Sequence, residues 1–190
     1  MKKFVTLFTD SYKELKSVRT ITTAAMFAAI AIILGMFSIE IGHVMRIGFS
    51  SIPNKLTAYL FGPVVGGIFG GTLDVLKYLI KPTGGYFLLL TLVVVLADVI
   101  YGFMYYKKPL SFWRILLASF LVTAVCNVIL NTMCLSVLYG KGFWAILPAR
   151  LVKNLVMWPI DSFIFYSLAK ALEALGVLST IRRFSAAGVK

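Results

Sequence analysis

Residues 56–71 read LTAYLFGPVVGGIFGG, and they decide how this apolar chain divides into helices. Glycine followed by proline breaks a helix, so the dipeptide Gly62-Pro63 predicts a boundary inside the stretch. Pro53 suits the first turn of a helix, which predicts a short helix from that residue to about Phe61. A second helix is predicted from about Val64 to Ile80, and its closely spaced glycines permit tight helix contacts.

Apolar runs on both sides of this pair predict four more helices. They cover about Ile21 to Ile39, Tyr86 to Tyr106, Ile115 to Leu138 and Phe143 to Leu175. Roughly 20 apolar residues cross a bilayer as a helix, so the chain has room for about six spans. We therefore predict an all-α, six-helix membrane bundle. It forms one domain over residues 1–190, with an N-terminal segment at about 1–19, the bundle at about 20–175 and a C-terminal tail at about 176–190.

The composition agrees with a protein that is embedded in a lipid bilayer. Apolar residues make up 60% of the chain and charged residues only 14%, whereas soluble domains carry about 25% charge. The mean hydropathy is +0.93. The lipid bilayer is therefore the expected surroundings of most of the chain.

The cations predict how the bundle is oriented. Twelve of the nineteen lysines and arginines lie in residues 1–19, 107–114 and 170–190. Loops rich in lysine and arginine stay on the cytoplasmic side, so we predict a multi-pass protein of the plasma membrane with both termini in the cytoplasm. Topology and lipid headgroups account for most of the net charge of +12, which requires no nucleic acid partner.

Seven cations remain after the orientation is assigned, and all of them fall on the outer side. They are Arg46, Lys55, Lys77, Lys81, Lys141, Arg150 and Lys153. Few acids lie in the same half, chiefly Glu40 and Asp74, so an anionic ligand would supply partners that the protein lacks. The alternative is that these side chains extend to lipid headgroups or to nearby acids.

Helical spacing gathers polar residues into stripes on three helices. The stripes are Asp74, Lys77 and Lys81 on the third helix, Asn127 and Asn131 on the fifth, and Arg150, Lys153, Asn154 and Trp158 on the sixth. Polar groups in a bilayer are costly unless they point inward and find partners. The stripes therefore predict one cavity that opens outward.

Each stripe also has a structural interpretation. Asn127 and Asn131 would hold the helices together by hydrogen bonds, and Trp158 would be an ordinary aromatic residue of the bundle core. Asp98 and Asp161 lie nearer the cytoplasmic half, and we interpret them as structural.

The first helix carries a separate surface of small residues. Ala24 and Ala28 are four residues apart, and so are Ala25 and Ala29. Small residues at this spacing let another helix approach closely. The approaching helix belongs either to the same chain or to another subunit.

Taken together, these motifs resemble the S components of energy-coupling factor (ECF) vitamin transporters, most of all the folate-specific branch. Besides the alanine-rich first helix, the matching segments are Arg46-Ile47-Gly48-Phe49, Ile52-Pro53-Asn54, Leu60-Phe61-Gly62-Pro63-Val64-Val65-Gly66-Gly67 with Asp74, Lys81-Pro82-Thr83-Gly84-Gly85 with Phe87, Tyr101-Gly102, Asn127, Asn131, Leu138-Tyr139-Gly140-Lys141, Arg150 and Lys153-Asn154. The resemblance implies a six-helix protein that binds a vitamin from outside. It also implies that the alanine face docks on a T subunit, which two ATPase subunits drive.

Folate would need cations for its glutamate tail, an aromatic wall, and amides or a carboxylate for its pterin edge. The predicted contacts are Arg46, Asn54, Asp74, Lys77, Lys81, Asn127, Asn131, Lys141, Arg150, Lys153, Asn154 and Trp158. The sequence contains no phosphate-binding loop motif, so we expect a binding protein without catalysis or cofactor. The alternatives are an S component for riboflavin, thiamine or pantothenate, a self-sufficient secondary transporter, and a membrane enzyme.

Overall fold

The computed structural model describes residues 2–37, 39–41, 45–82, 85–140, 142–178 and 180–181. Helices dominate this part of the chain: α1 (Lys2–Glu14), α2 (Val18–Met36), α3 (Ser51–Ile80), α4 (Leu88–Tyr105), α5 (Phe112–Val122), a π-helix (Thr123–Leu130), α6 (Asn131–Tyr139) and α7 (Phe143–Ala174). Two short strands, β1 (Ile39–Ile41) and β2 (Met45–Ile47), pair antiparallel with Glu40 opposite Arg46. The predicted all-α membrane class is confirmed.

The break predicted at Gly62-Pro63 is present inside α3. Gly62 has φ 91° and ψ −173°, which lies outside helical geometry and favours glycine. Ala58 and Gly66 would be about 12 Å apart on a straight helix, yet a Cβ built on Gly66 would lie 3.0 Å from the Ala58 Cβ. The chain therefore reverses at Gly62, and α3 consists of a first arm (51–61) and a second arm (64–80).

With this reversal, the helix count agrees with the prediction. Within the described residues, five helical segments are long and apolar enough to cross a membrane, and α3 is one of them. Residues 52–61 are buried throughout, because the other helices shield this short first arm from lipid. In contrast, Leu79, Val137, Val152 and Phe163 are 62% to 72% exposed on the outer surface, as expected for a lipid-facing bundle.

The helix α1 was not predicted within the N-terminal segment, and it closes the break in α3. Ser11 is fully buried, and its Oγ donates to the Phe61 carbonyl at 2.7 Å. The same Oγ accepts hydrogen bonds from the Val64 and Val65 amides at 3.0 and 3.2 Å. Helix ends leave such backbone groups without partners, so one serine satisfies groups on both sides of the break.

Replacing Ser11 with alanine should therefore lower the apparent Tm of the purified protein. A buried polar group left without its partner costs about 1–3 kcal/mol, which corresponds to roughly 2–12 °C for a chain of this size. Thermal unfolding in detergent measures the change. Thr22→Ala is the matched control, because the exposed Thr22 hydroxyl bonds only to Val18 within its own helix. Equal Tm values for both variants would contradict a structural role for Ser11.

The first and fifth predicted helices differ most from the structure. The first predicted helix was extended to Ile39, but α2 ends at Met36 and Ile39 begins β1. The fifth predicted helix is continuous in path, but its middle is a π-helix, which α-helical periodicity does not anticipate.

Candidate functional site

A cavity of about 470 Å³ lies between α3, α4, α7 and the segment that runs from α5 through the π-helix to α6. This volume is within the range of about 300–1,000 Å³ that small-molecule sites occupy. Two of the predicted polar stripes belong to α3 and α7, and the third runs from the π-helix into α6. Therefore the prediction that three helices share one cavity agrees with the structure.

Ten of the twelve predicted ligand contacts line this cavity. They are Asn54, Asp74, Lys77, Lys81, Asn127, Asn131, Arg150, Lys153, Asn154 and Trp158. The side chain of Arg46 and the whole of Lys141 lie outside the described residues, so their predicted contacts remain predictions.

The cavity lining contains a group of polar and charged side chains that we call the inner cluster: the buried Asn54, Lys55 and Asp98 and the half-buried Asp161. The Nζ of Lys55 lies 3.9 Å from the Asp161 carboxylate, and Lys55 is only 3% exposed. The Asn54 amide donates to the Asp98 carboxylate at 2.9 Å. A charge inside a membrane bundle is least unfavourable when it has such partners. Through these contacts the cluster joins α3, α4 and α7.

Aromatic rings and a glycine complete the surroundings of the inner cluster. The Nζ of Lys55 also lies 5.4 Å from the ring centre of Tyr101 and 5.9 Å from that of Phe165, within the range of cation–π contacts. Gly70 has no side chain, and the Asp98 carboxylate occupies the space where its Cβ would be. Any larger residue at position 70 would therefore displace the acceptor of the Asn54 hydrogen bond.

Three members of the inner cluster were missed as site residues. Lys55 was only one of the seven unexplained cations, and Asp98 and Asp161 were interpreted as structural. The structure places all three in the cavity lining. A signal was present for Asp161, which lies three residues after Trp158 and therefore shares its helix face. Asp98 meets Asn54 across 44 residues of sequence, and no local pattern indicates that contact.

The α7 wall of the cavity is formed by the predicted stripe. Arg150 is 7% exposed, and its Nη2 donates to the Asn127 carbonyl at 3.2 Å. Asp161 lies eleven residues beyond Arg150, about 16 Å along a helix, so this arginine is far from the inner cluster. The Trp158 indole N–H donates to the Leu116 carbonyl at 3.0 Å. Trp158 therefore both lines the cavity and joins two helices.

The opposite wall carries the stripe from the second arm of α3. The Asp74 carboxylate accepts a hydrogen bond from the Thr91 hydroxyl at 2.8 Å, and Thr91 also bonds the Tyr86 hydroxyl at 3.1 Å. The rings of Tyr78 and Tyr86 are 5.0 Å apart. Asp74 is thereby tied to α4, while Lys77 and Lys81 also line the cavity.

The described lining of the cavity is positively charged. It contains five cations, Lys55, Lys77, Lys81, Arg150 and Lys153, and three carboxylates, Asp74, Asp98 and Asp161. Two of the carboxylates and one cation belong to the inner cluster. The described lining outside that cluster, where four cations accompany Asp74, therefore has a positive excess of three, and the cluster itself has a negative excess of one.

Several buried polar atoms of this lining have no hydrogen-bond partner among the described residues. They include the Oδ1 of Asn54, the Nδ2 of Asn154 and the Oδ1 of Asp161. Such groups are rare in folded proteins because leaving them unpaired is costly. They leave this part of the protein with hydrogen-bonding capacity that the described residues do not use.

The four alanines predicted as a surface of small residues on α2 divide into two pairs. Ala24 and Ala28 are half-buried and pack towards Phe69 and Leu73 on the second arm of α3. Ala25 and Ala29 are exposed on the surface of the bundle. The first pair thus contributes to packing within the chain, whereas the second pair lies on the exposed side of the helix.

Comparisons with known proteins agree with this architecture. Residues 19–169 match the family model described as "ECF transporter, substrate-specific component". The folate transporter FolT of Clostridium novyi (strain NT) is 34% identical over 171 residues, covering 90% of this chain and 99% of that protein. The folate transporter FolT of Leuconostoc mesenteroides is 29% identical over 156 residues, with coverages of 79% and 84%.

A solved structure extends the agreement to three dimensions. A crystal structure of FolT bound with folic acid is similar with a TM-score of 0.75 and 34% identity, covering 81% of this chain and 94% of that one. The family match covers well over half of the chain, and the helices, their apolar surface and the cavity are those of a membrane-embedded binding protein. The chain therefore belongs to the family of substrate-specific (S) components of ECF transporters.

Proposed function

We propose that this chain binds folate in its cavity and serves as the substrate-specific component of an ATP-driven importer. The observation that carries the proposal is the charge of the lining, where five cations face three carboxylates. The glutamate tail of folate has two carboxylates, which would compensate the positive excess of two. The similarity to FolT proteins supports the same ligand.

The distribution of charge also orients the ligand. Asp98 and Asp161 in the inner cluster would repel the carboxylates of the tail, but they can accept hydrogen bonds from the N–H groups of a pterin edge. The tail would then lie with Arg150 and Lys153, outside the inner cluster. Trp158 lies between these regions on α7 and supplies an aromatic surface for the flat middle of the ligand.

Any ATP hydrolysis that drives transport would belong to partner subunits, because the sequence has no phosphate-binding loop motif. We propose that the chain delivers its ligand by docking on a T subunit that is driven by two ATPase subunits. Membership of the ECF family supports this arrangement. The ligand itself undergoes no chemical change in this step.

Both termini of the chain are proposed to lie in the cytoplasm, which would make the cavity open to the exterior. The support is the concentration of twelve cations in the two tails and the 107–114 loop. An impermeant thiol reagent should fail to label a cysteine placed at position 186 in intact cells and should label it after permeabilisation. Labelling in intact cells would mean that the C-terminus lies outside, and the proposed topology and direction of ligand capture would both be wrong.

Equilibrium binding to the purified chain tests the choice of ligand. Folate should bind tightly, and a large excess of riboflavin, thiamine or pantothenate should fail to displace it. Pteroate, which lacks the glutamate tail, should bind more weakly than folate because it cannot reach the tail cations. Displacement of bound folate by one of the other vitamins at a comparable concentration would overturn the assignment.

A bulky residue on the exposed alanine pair should block uptake while sparing ligand capture. Ala25→Trp and Ala29→Trp add volume where we expect the T subunit to approach, and close helix contacts tolerate no such bulk. Folate binding to the purified variants should be nearly unchanged. Uptake by vesicles that contain the complete transporter should be abolished.

The other alanine pair provides the matched control. Ala24→Trp and Ala28→Trp would press against Phe69 and Leu73, so these variants should lower the Tm of the isolated chain. If Ala25→Trp lowers the Tm equally and leaves assembly intact, the exposed pair is not a docking surface.

A further inference from the structure

The fifth spanning segment lines the cavity with eight residues, most of them at a regular interval of four; only Val122 and Leu138 fall outside that interval. Ser119, Thr123, Asn127, Asn131 and Leu135 all line the cavity, and the interval between neighbours is the same throughout. Four of these five side chains are polar. We call this set the cavity column.

An uninterrupted α-helix would not keep this column on one face. With 3.6 residues per turn, each step of four residues advances the side chain by about 40° around the axis. The four steps from Ser119 to Leu135 would rotate it by about 160°. The first and last members of the column would then point to nearly opposite sides of the helix.

The lipid-facing side of the same segment shows the same interval independently. The large apolar residues Leu117, Leu121, Val125, Ile129, Met133 and Val137 are all exposed, from 39% to 72%. Both faces of the segment therefore run straight along its length for about five turns.

The π-helix explains both columns. It covers Thr123–Leu130, in the middle of the segment, and the Asn131 amide bonds to the Cys126 carbonyl five residues earlier. A helix with this bonding has more residues per turn than an α-helix, so each residue rotates the side-chain direction by a smaller angle. The smaller rotation in the π-helix offsets the rotation that accumulates at every fourth residue of the flanking α-helices. The Arg150 hydrogen bond to the Asn127 carbonyl joins the π-helix to α7 across the cavity wall.

We propose that the π-helix is the element that aligns the hydrogen-bonding wall of the ligand site, and that Thr123 contacts the ligand together with the two asparagines. A straight column of polar groups suits an elongated, flat ligand with polar atoms along its length. The choice of folate as that ligand rests on the proposed function, whereas the alignment does not.

A cysteine scan from position 121 to position 135 tests the alignment in the purified protein. The background carries Cys126→Ala and Cys134→Ala, so each variant has one thiol. A charged, water-soluble thiol reagent should label positions 123, 127, 131 and 135 fastest and positions 121, 125, 129 and 133 slowest. Maxima that drift with the 3.6-residue period would overturn the alignment, whether or not folate binds.

Ligand protection tests the contacts separately. Saturating folate should slow labelling at positions 123 and 127, and Thr123→Val should raise the Kd for folate by about two- to tenfold, as expected for a neutral hydrogen bond. Val125→Ala, on the lipid side, should leave the Kd unchanged. If folate binds but neither protects these positions nor responds to Thr123→Val, the proposed contacts are wrong. If folate does not bind at all, the proposed function fails and the labelling pattern still decides the alignment.

Deleting Ile129 provides a second test, because removing one lipid-facing residue should convert the π-helix into an α-helix. The deletion should raise the Kd for folate at least tenfold, while Ile129→Ala leaves it unchanged. Unchanged folate affinity in a folded deletion variant would overturn the proposal, and the cysteine scan covers the case in which the deletion variant does not fold.

Discussion

Lys153→Ala is expected to raise the Kd for folate by about ten- to a hundredfold. Lys153 lines the cavity outside the inner cluster, where cations outnumber carboxylates. A hydrogen bond to a charged group contributes about 1.5–3 kcal/mol, which corresponds to that change in Kd. Arg150→Ala should have an effect of similar size, although Arg150 also holds the Asn127 carbonyl, and the neutral Asn154→Ala should cost less.

Comparing folate with pteroate across these variants separates contacts to the tail from contacts to the pterin. The variant that loses a tail contact should weaken folate binding and leave pteroate binding unchanged. Lys170→Ala is the matched control, because this exposed cation of α7 lies outside the cavity, over the Tyr166 ring. Equal losses for both ligands at every position would mean that these residues hold the helices together instead of the ligand.

Lys55→Met is expected mainly to lower the thermal stability of the bundle. The substitution removes the cation that pairs with the Asp161 carboxylate in the inner cluster. Asp161 is 23% exposed, so the loss should be smaller than for a fully buried pair, about 1–3 kcal/mol, which corresponds to a Tm lower by roughly 2–12 °C. Thermal unfolding of the purified variant in detergent measures the loss.

The double variant Lys55→Met/Asp161→Asn provides the control for this effect. It removes both charges together, so it should recover much of the Tm that the single variant loses. A Tm that falls further in the double variant would mean that Asp161 stabilises the bundle without Lys55. A single variant with unchanged Tm would mean that the ion pair contributes nothing to stability.

The sequence was sufficient to predict the path of the chain and most of the cavity. Gly62 followed by proline marks the reversal in α3 because this backbone conformation favours glycine. The polar stripes identified the cavity walls, since a polar residue in a bilayer is rarely tolerated on a lipid-facing surface. Both signals are local, so they can be read without knowing the fold.

The inner cluster could not be predicted in the same way. Asp98 reaches Asn54 only because Gly70 leaves room for its carboxylate, and these three residues come from three separate segments. Asp98 and Asp161 were interpreted as structural because the sequence places them nearer the cytoplasmic half of their helices. The cavity nevertheless extends far enough into the bundle to include both residues. The contact therefore depends on how the helices pack.

The π-helix and α1 were missed for different reasons. The four-residue interval in the fifth segment was visible between Asn127 and Asn131, but two positions four apart also share a face of an α-helix. Only the whole column distinguishes the two geometries. For α1, the role of Ser11 depends on backbone groups 50 or more residues away, and no pattern within the N-terminal segment indicates it.

The most direct test of the central claim is to identify, by mass spectrometry, the small molecule that copurifies with the detergent-solubilised chain. We expect folate or a reduced folate at close to one molecule per chain, and a large loss of that molecule from the Lys153→Ala variant purified in parallel. A different vitamin at the same occupancy, retained by Lys153→Ala, would contradict the assignment of this cavity to folate.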